Sequence, residues 1–154
     1  MLDTCIDSIE SLEMRLCSAL LAFLGLSGSG AVAPVISAPP PLNYAAIRFA
    51  LAQVESGDNP NVLGAAGEIG RYQILPEIAR RYGGHDWSAA QRILRDRLER
   101  FPRPHPTPED VYMMWHRPGL YGRMEWRLDR LPGIVRARAE RFANLYALYL
   151  RELQ

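Results

Sequence analysis

The sequence predicts a mostly α domain with a little β, and three observations carry that expectation. Apolar residues recur at three- and four-residue spacing in several separate stretches, the period of a helix with one buried face. The stretch Ser56 to Arg71 breaks the pattern with glycines at 57, 64, 67 and 70, so an irregular segment or small hairpin is expected there. Prolines gather between the periodic stretches, where they delimit helices rather than interrupt them.

The first helix is expected over Tyr44 to Glu55, with Ile47, Ala50, Leu51 and Val54 on one face. After the glycine-rich segment, Pro76 can open a short helix at its first position, and Gly83-Gly84 closes it. Ser88 offers an N-cap with Gln91 three residues on, so a third helix is expected to about Arg100, with Ile93, Leu94, Leu98 and Phe101 inward. Pro102, Pro104, Pro106 and Pro108 forbid helix across the next connection. Thr107 then caps a helix from Pro108 to about His116, with Asp110 in its first turn. The last helix begins at Pro132 and continues to about Leu153. Its inward positions are read as Ile134, Val135, Phe142, Leu145, Tyr146, Leu148 and Tyr149. The total is about five helices and one irregular segment after the first.

Residues 1–33 have a different character. Leu16 to Leu26 is apolar, Met14-Arg15 precedes it, and small residues follow to Ala33. That is the layout of a secretory signal peptide. The run is short of the roughly 20 apolar residues that span a bilayer, so no stable membrane insertion is expected. Residues 1–13 are acidic, which makes Met14 an alternative start, and Pro34 moves the expected cleavage a few residues away from Ala33. Residues 34–42 read as a Pro-rich linker, and 43–154 as one domain. The expected location is outside the cytoplasm, periplasmic or extracellular.

Both cysteines, Cys5 and Cys17, fall in the leader, so the domain itself has no disulfide or thiol chemistry. His85, His105 and His116 are scattered, with no carboxylate or cysteine at ligand spacing, and neither a metal nor a cofactor is expected. Residues 34–154 hold 17 arginines against 13 acidic side chains, a net +4 with no lysine. The charge suits an anionic polymer but no recognition motif points to nucleic acid. Arg92, Arg95, Arg97 and Arg100 alternate with Asp96 and Glu99, the pattern of a solvated helix face.

Glu55 is the residue that local stability does not explain. It ends a helix, where backbone carbonyls carry partial negative charge and favour cations. A carboxyl held there by a rigid element, facing a cleft made by the next loop, would have its neutral form favoured by burial. A general acid needs that property near neutral pH.

Glu55-Ser-Gly, followed by Gly70-Arg-Tyr-Gln-Ile74 and Pro76, resembles the soluble lytic transglycosylases and the related goose-type lysozymes. A third motif of that family falls at Met114-Trp-His-Arg-Pro-Gly119, with His116 where asparagine is usual and one residue fewer. The resemblance covers about residues 44–150. It implies a lysozyme-like α+β fold, a monomer, and peptidoglycan glycan strands as partner. It implies Glu55 as sole acid and base, cutting the MurNAc–GlcNAc linkage with closure of a 1,6-anhydro ring. It makes Ser56 the residue that shapes the turn beside the acid, Gln73 a hydrogen-bonding group in the cleft, and Tyr72 a stacking face. Trp115 or Tyr112 would position Glu55, and His116 would border the substrate. Glu68 suggests an alternative, a lysozyme-type hydrolase in which it activates water opposite Glu55. A further alternative is an inactive module that binds glycan without cleaving it or serves as a scaffold.

Overall fold

The computed structural model describes residues 41–154. The chain divides after Ala38 into two units, and the described residues belong to the second. The expected signal peptide and nearly all of the expected linker lie outside them.

Helix α1 spans Tyr44–Ser56. Asn43 caps it, accepting from the backbone N–H groups of Ala45 and Ala46 at 3.0 Å. The Asn43 N–H also donates to the Tyr146 hydroxyl at 3.0 Å, which pins the start of α1 to the last helix. Gly57, left-handed at φ 64°, closes α1 and turns its N–H back onto Ala52 and Gln53. Ile47, Ala50, Leu51 and Val54 are buried, as the periodicity predicts, and Ala46 and Ala52 are buried beside them.

The segment from Gly57 to Leu75 corrects the fold class. It forms no strand ladder, only isolated antiparallel bridges between Leu63 and Ile69 and between Ile69 and Ile74. The cause is backbone geometry. Gly57, Asp58, Gly67, Gly70 and Gln73 all have positive φ, and a strand needs an unbroken extended run. The expected lysozyme-like α+β architecture is therefore replaced by an essentially all-α one among the described residues.

Helices α2 (Pro76–Tyr82), α3 (Trp87–Leu98) and α4 (Pro108–His116) follow. The α3 cap is Asp86 rather than Ser88: its carboxylate accepts from the Ala89 N–H at 2.9 Å, and Ser88 donates its hydroxyl to the same oxygen. A carboxylate outcompetes a hydroxyl there because the helix start carries partial positive charge. Thr107 and Asp110 complete a reciprocal capping box on α4.

Two elements were not anticipated, α5 (Pro118–Arg123) and a 3-10 turn at Leu128–Arg130. Pro118 forces Arg117 out of helical geometry, which ends α4, and is itself favoured as a first helical residue. Six residues are too few to show a period. Helix α6 (Gly133–Glu152) completes the chain. It packs on α1 and α4, α3 packs on α4, and α2 packs on α3. Val135, Phe142 and Tyr146 are buried, but Ile134 and Leu148 are exposed, contrary to the sequence reading. Val135, Ala139, Phe142 and Tyr146 already complete the inward stripe, and positions 134 and 148 fall outside it.

No helix among the described residues is long and apolar enough to cross a membrane.

Candidate functional site

The end of α1, the loop from Gly64 to Leu75, and parts of α2, α3, α4 and α6 enclose a cleft of about 330 Å³. That is the lower end of the size range of small-ligand sites. Its depth comes from the packing just described, and its polar end from side chains that helix order brings together across the chain.

Glu55 lies in the last turn of α1 with a side chain only 6% exposed. Its Oε1 is inaccessible and has no hydrogen-bond partner in the protein. Burial raises its pKa above the usual carboxylate value. Arg138 and the Tyr112 hydroxyl oppose the rise, and Glu68 adds to it. Tyr112 is fully buried, and its hydroxyl also completes no hydrogen bond. It neighbours the carboxyl closely enough to feel its charge, and burial followed by that charge raises the phenol's pKa. We take the two as adjacent and coupled rather than bonded.

His116 stands one helical turn beyond Tyr112, and their rings stack at 5.4 Å. Its pKa is lowered to about 4, first by burial and then by Arg138 and Arg117. At neutral pH the imidazole is uncharged. The acid end of the cleft is therefore a buried carboxyl, a neutral phenol and a neutral imidazole.

Gln73 and Glu68 form the opposite lip. Gln73, at φ 48°, donates its amide to the carbonyls of Gly70 (2.7 Å) and Val62 (3.2 Å), which leaves its carbonyl oxygen for the cleft. Glu68 accepts from the Ala66 N–H at 3.0 Å. A Cβ on Gly64 would stand 2.3 Å from Glu68 Oε2 and 2.5 Å from Gln73 Oε1, so glycine is what lets these two side chains lie over the backbone.

Of the residues singled out in the sequence, Glu55, Glu68, Gln73, Trp115 and His116 line the cleft together, with Tyr112 behind them. Two lie elsewhere. Tyr72 is 2% exposed and packs against Trp87, so it presents no face to a ligand. Ser56 donates its hydroxyl to the carbonyls of Arg71 (2.9 Å) and Ala52 (3.2 Å), tying the end of α1 to the loop.

Three charged residues of the cleft were missed, Arg97, Arg117 and Arg138. Arg97 was read as part of a solvated face. Its guanidinium instead donates to the carbonyls of Met114 and Trp115 and lies 5.7 Å from the centre of the Trp115 ring. The signal was present, because position 97 follows Ile93 and Leu94 at four and three residues, the spacing of the buried face. Arg138 likewise lies three residues after Val135 and four before Phe142.

No protein-family model, curated protein or solved structure matches the chain significantly. With a helical architecture and no sheet-walled groove among the described residues, the resemblance to transglycosylases and goose-type lysozymes is withdrawn. The peptidoglycan-cleaving activity drawn from it is withdrawn too, in both its anhydro-forming version and its hydrolytic version with Glu68. Glu68 is also anchored to its own loop by the Ala66 N–H. The described residues contain no group of three or more His, Cys, Asp or Glu side chains placed to hold a metal ion.

Proposed function

We propose that the cleft is a glycan-binding site, that its ligand is a segment of peptidoglycan strand, and that the protein works outside the cytoplasm. The observation that carries the reading is Glu55, a carboxyl 6% exposed at the cleft with an unpartnered oxygen. Oε1 itself is out of a ligand's reach, but the exposed remainder of the carboxyl lines the cleft, where it can pair with a ligand hydroxyl or amide. In its protonated form a carboxyl can both donate to and accept from such a group.

The rest of the lining supports the same chemistry. Gln73 offers a carbonyl acceptor suited to a hydroxyl or an N-acetyl N–H. Trp115 offers part of an indole, and Ile74, Leu75 and Ile78 offer aliphatic surface suited to the apolar faces of sugar rings. Export rests on the apolar stretch Leu16 to Leu26 and the small residues after it.

Cosedimentation of the purified protein with isolated peptidoglycan tests the reading, with Glu55→Ala and Glu55→Gln compared. The expected result is binding by the wild type, loss of about tenfold or more in Glu55→Ala, and partial retention in Glu55→Gln, whose amide still donates. Unchanged binding in Glu55→Ala, or no binding by the wild type, would overturn it. N-terminal sequencing of protein recovered from outside the cytoplasm tests the export half.

A further inference from the structure

The arginines of the cleft have different occupations. Arg97 is engaged by the carbonyls at the end of α4. Arg117, at the junction of α4 and α5, and Arg138, on α6, take part in no ion pair among the described residues, although Arg71, Arg100, Arg103, Arg127, Arg130 and Arg136 all do. Both line the cleft, and both act electrostatically on His116. The fixed charges facing Glu55 and His116 are Arg138 from α6, Arg117 from the α4–α5 junction, Arg97 from α3 and Glu68 from the loop; Tyr112 is neutral. Three cations, Arg97, Arg117 and Arg138, line the cleft with two acidic side chains, Glu55 and Glu68, and burial works against the charge of Glu55. A polar cavity with that balance attracts an anion.

We propose that Arg117 and Arg138 form a carboxylate-binding arm of the cleft, so that its ligand is an acidic glycan carrying a free carboxylate beside the hydroxyl or amide held by Glu55. The inference rests on the glycan reading above and names the kind of glycan. Guanidinium groups match carboxylates in geometry as well as charge. In a peptidoglycan strand the group concerned is the lactyl carboxylate, which is free only where no peptide is attached. The reaction class that would supply this ligand is hydrolysis of the amide joining peptide to sugar.

The arm has a linked consequence. A carboxylate seated against Arg138 offsets the attraction that Arg138 exerts on the Glu55 charge, and adds a negative charge nearby. Binding should therefore draw a proton onto Glu55.

The test uses titration calorimetry on the full chain with two probes. One is a peptide-free tetrasaccharide of alternating N-acetylglucosamine and N-acetylmuramic acid. The other is the same tetrasaccharide with its lactyl carboxylates converted to carboxamides. The carboxylate form is expected to bind about tenfold tighter or more. Arg117→Gln and Arg138→Gln should each remove much of that difference, while affinity for the carboxamide form changes less than about twofold. Both arginines are surface-accessible, so these variants are expected to fold. Repeating the titration in two buffers of different ionisation enthalpy should show proton uptake with the carboxylate probe, absent in Glu55→Gln. Equal wild-type affinity for the two probes, or equal loss for both in the arginine variants, would overturn the arm and leave the glycan reading standing. Binding of neither probe would overturn both.

Discussion

His116 Nδ1 lies 3.9 Å from Glu55 Oε1, and at neutral pH the contact is not an ion pair. The imidazole is neutral because its pKa is lowered to about 4, and burial favours the protonated form of the carboxyl. The same burial thus works against the charged form of both groups, lowering the pKa of one and raising that of the other. Their effects on stability run in opposite directions. Native His116 binds its proton less readily than the unfolded chain does, so stability falls as pH drops from about 6.5 towards 4, by up to about 1.4 kcal/mol per pH unit. Native Glu55 binds its proton more readily, so stability falls as pH rises above its ordinary value of 4.5 through its raised native pKa.

Thermal unfolding across pH 4–8 should separate the two. Glu55→Gln is expected to raise Tm at pH 7, with the gain vanishing near pH 4.5 and below. His116→Gln is expected to flatten the acid limb between pH 4 and 6.5. Parallel pH profiles for both variants and the wild type would refute the opposed titrations.

Asp110 should be the costliest single carboxylate to remove. It is 1% exposed, accepts from the Tyr121 hydroxyl and from Arg103 at 2.6 Å, and completes the cap of α4 with Thr107. Asp110→Ala leaves a buried phenol and a guanidinium without their acceptor and removes half of a capping box. We expect a loss of about 3 kcal/mol by urea denaturation, discounted because Arg103 remains half-exposed. A loss under about 1 kcal/mol would mean that water replaces the carboxylate.

Gly64→Ala should separate binding from stability. The added methyl would collide with the ends of the Glu68 and Gln73 side chains and press on Glu68 Cβ at 3.1 Å, but not on backbone. The two ends can swing away at the cost of the Gln73 amide hydrogen bonds, so stability should fall by about 1–2 kcal/mol. Swinging them away rearranges the lip of the cleft, so affinity for peptidoglycan should fall severalfold. Unchanged affinity would show that the lip does not touch the ligand.

Arg97→Met should loosen the end of α4. The guanidinium satisfies carbonyls that α4 leaves open at its C-terminus, where a cation is also favoured by the helix dipole. Charged hydrogen bonds of this kind contribute about 2 kcal/mol, and that is the expected loss in chemical denaturation. Arg97→Lys should recover part of it, since an ammonium keeps the charge without the planar fork. Equal losses in the two variants would point to packing alone.

Five of the six α-helices among the described residues were legible in the sequence because each carries its own signals: Pro76, Thr107 and the glycines after α1 and α2 mark ends, and one apolar stripe marks an inner face. These depend on interactions within a few residues. Glu55 was legible for a related reason, since a carboxyl in the last turn of a helix runs against the local electrostatics. What spans the chain was not legible. Whether residues 57–75 pair as strands depended on left-handed backbone at positions such as Asp58 and Gln73, which residue type alone does not dictate. The short motifs around Glu55 and Gln73 suggested a sheet-containing fold, but the described residues pack as helices. The arginines of the cleft come from α3, the end of α4, and α6. Their convergence on Glu55 exists only once α6 lies against α1 and α4 and α3 lies against α4. A local sequence supplies a helix and its buried face, but burial of that face against distant elements decides which charges meet and which polar atoms are left to bind something else.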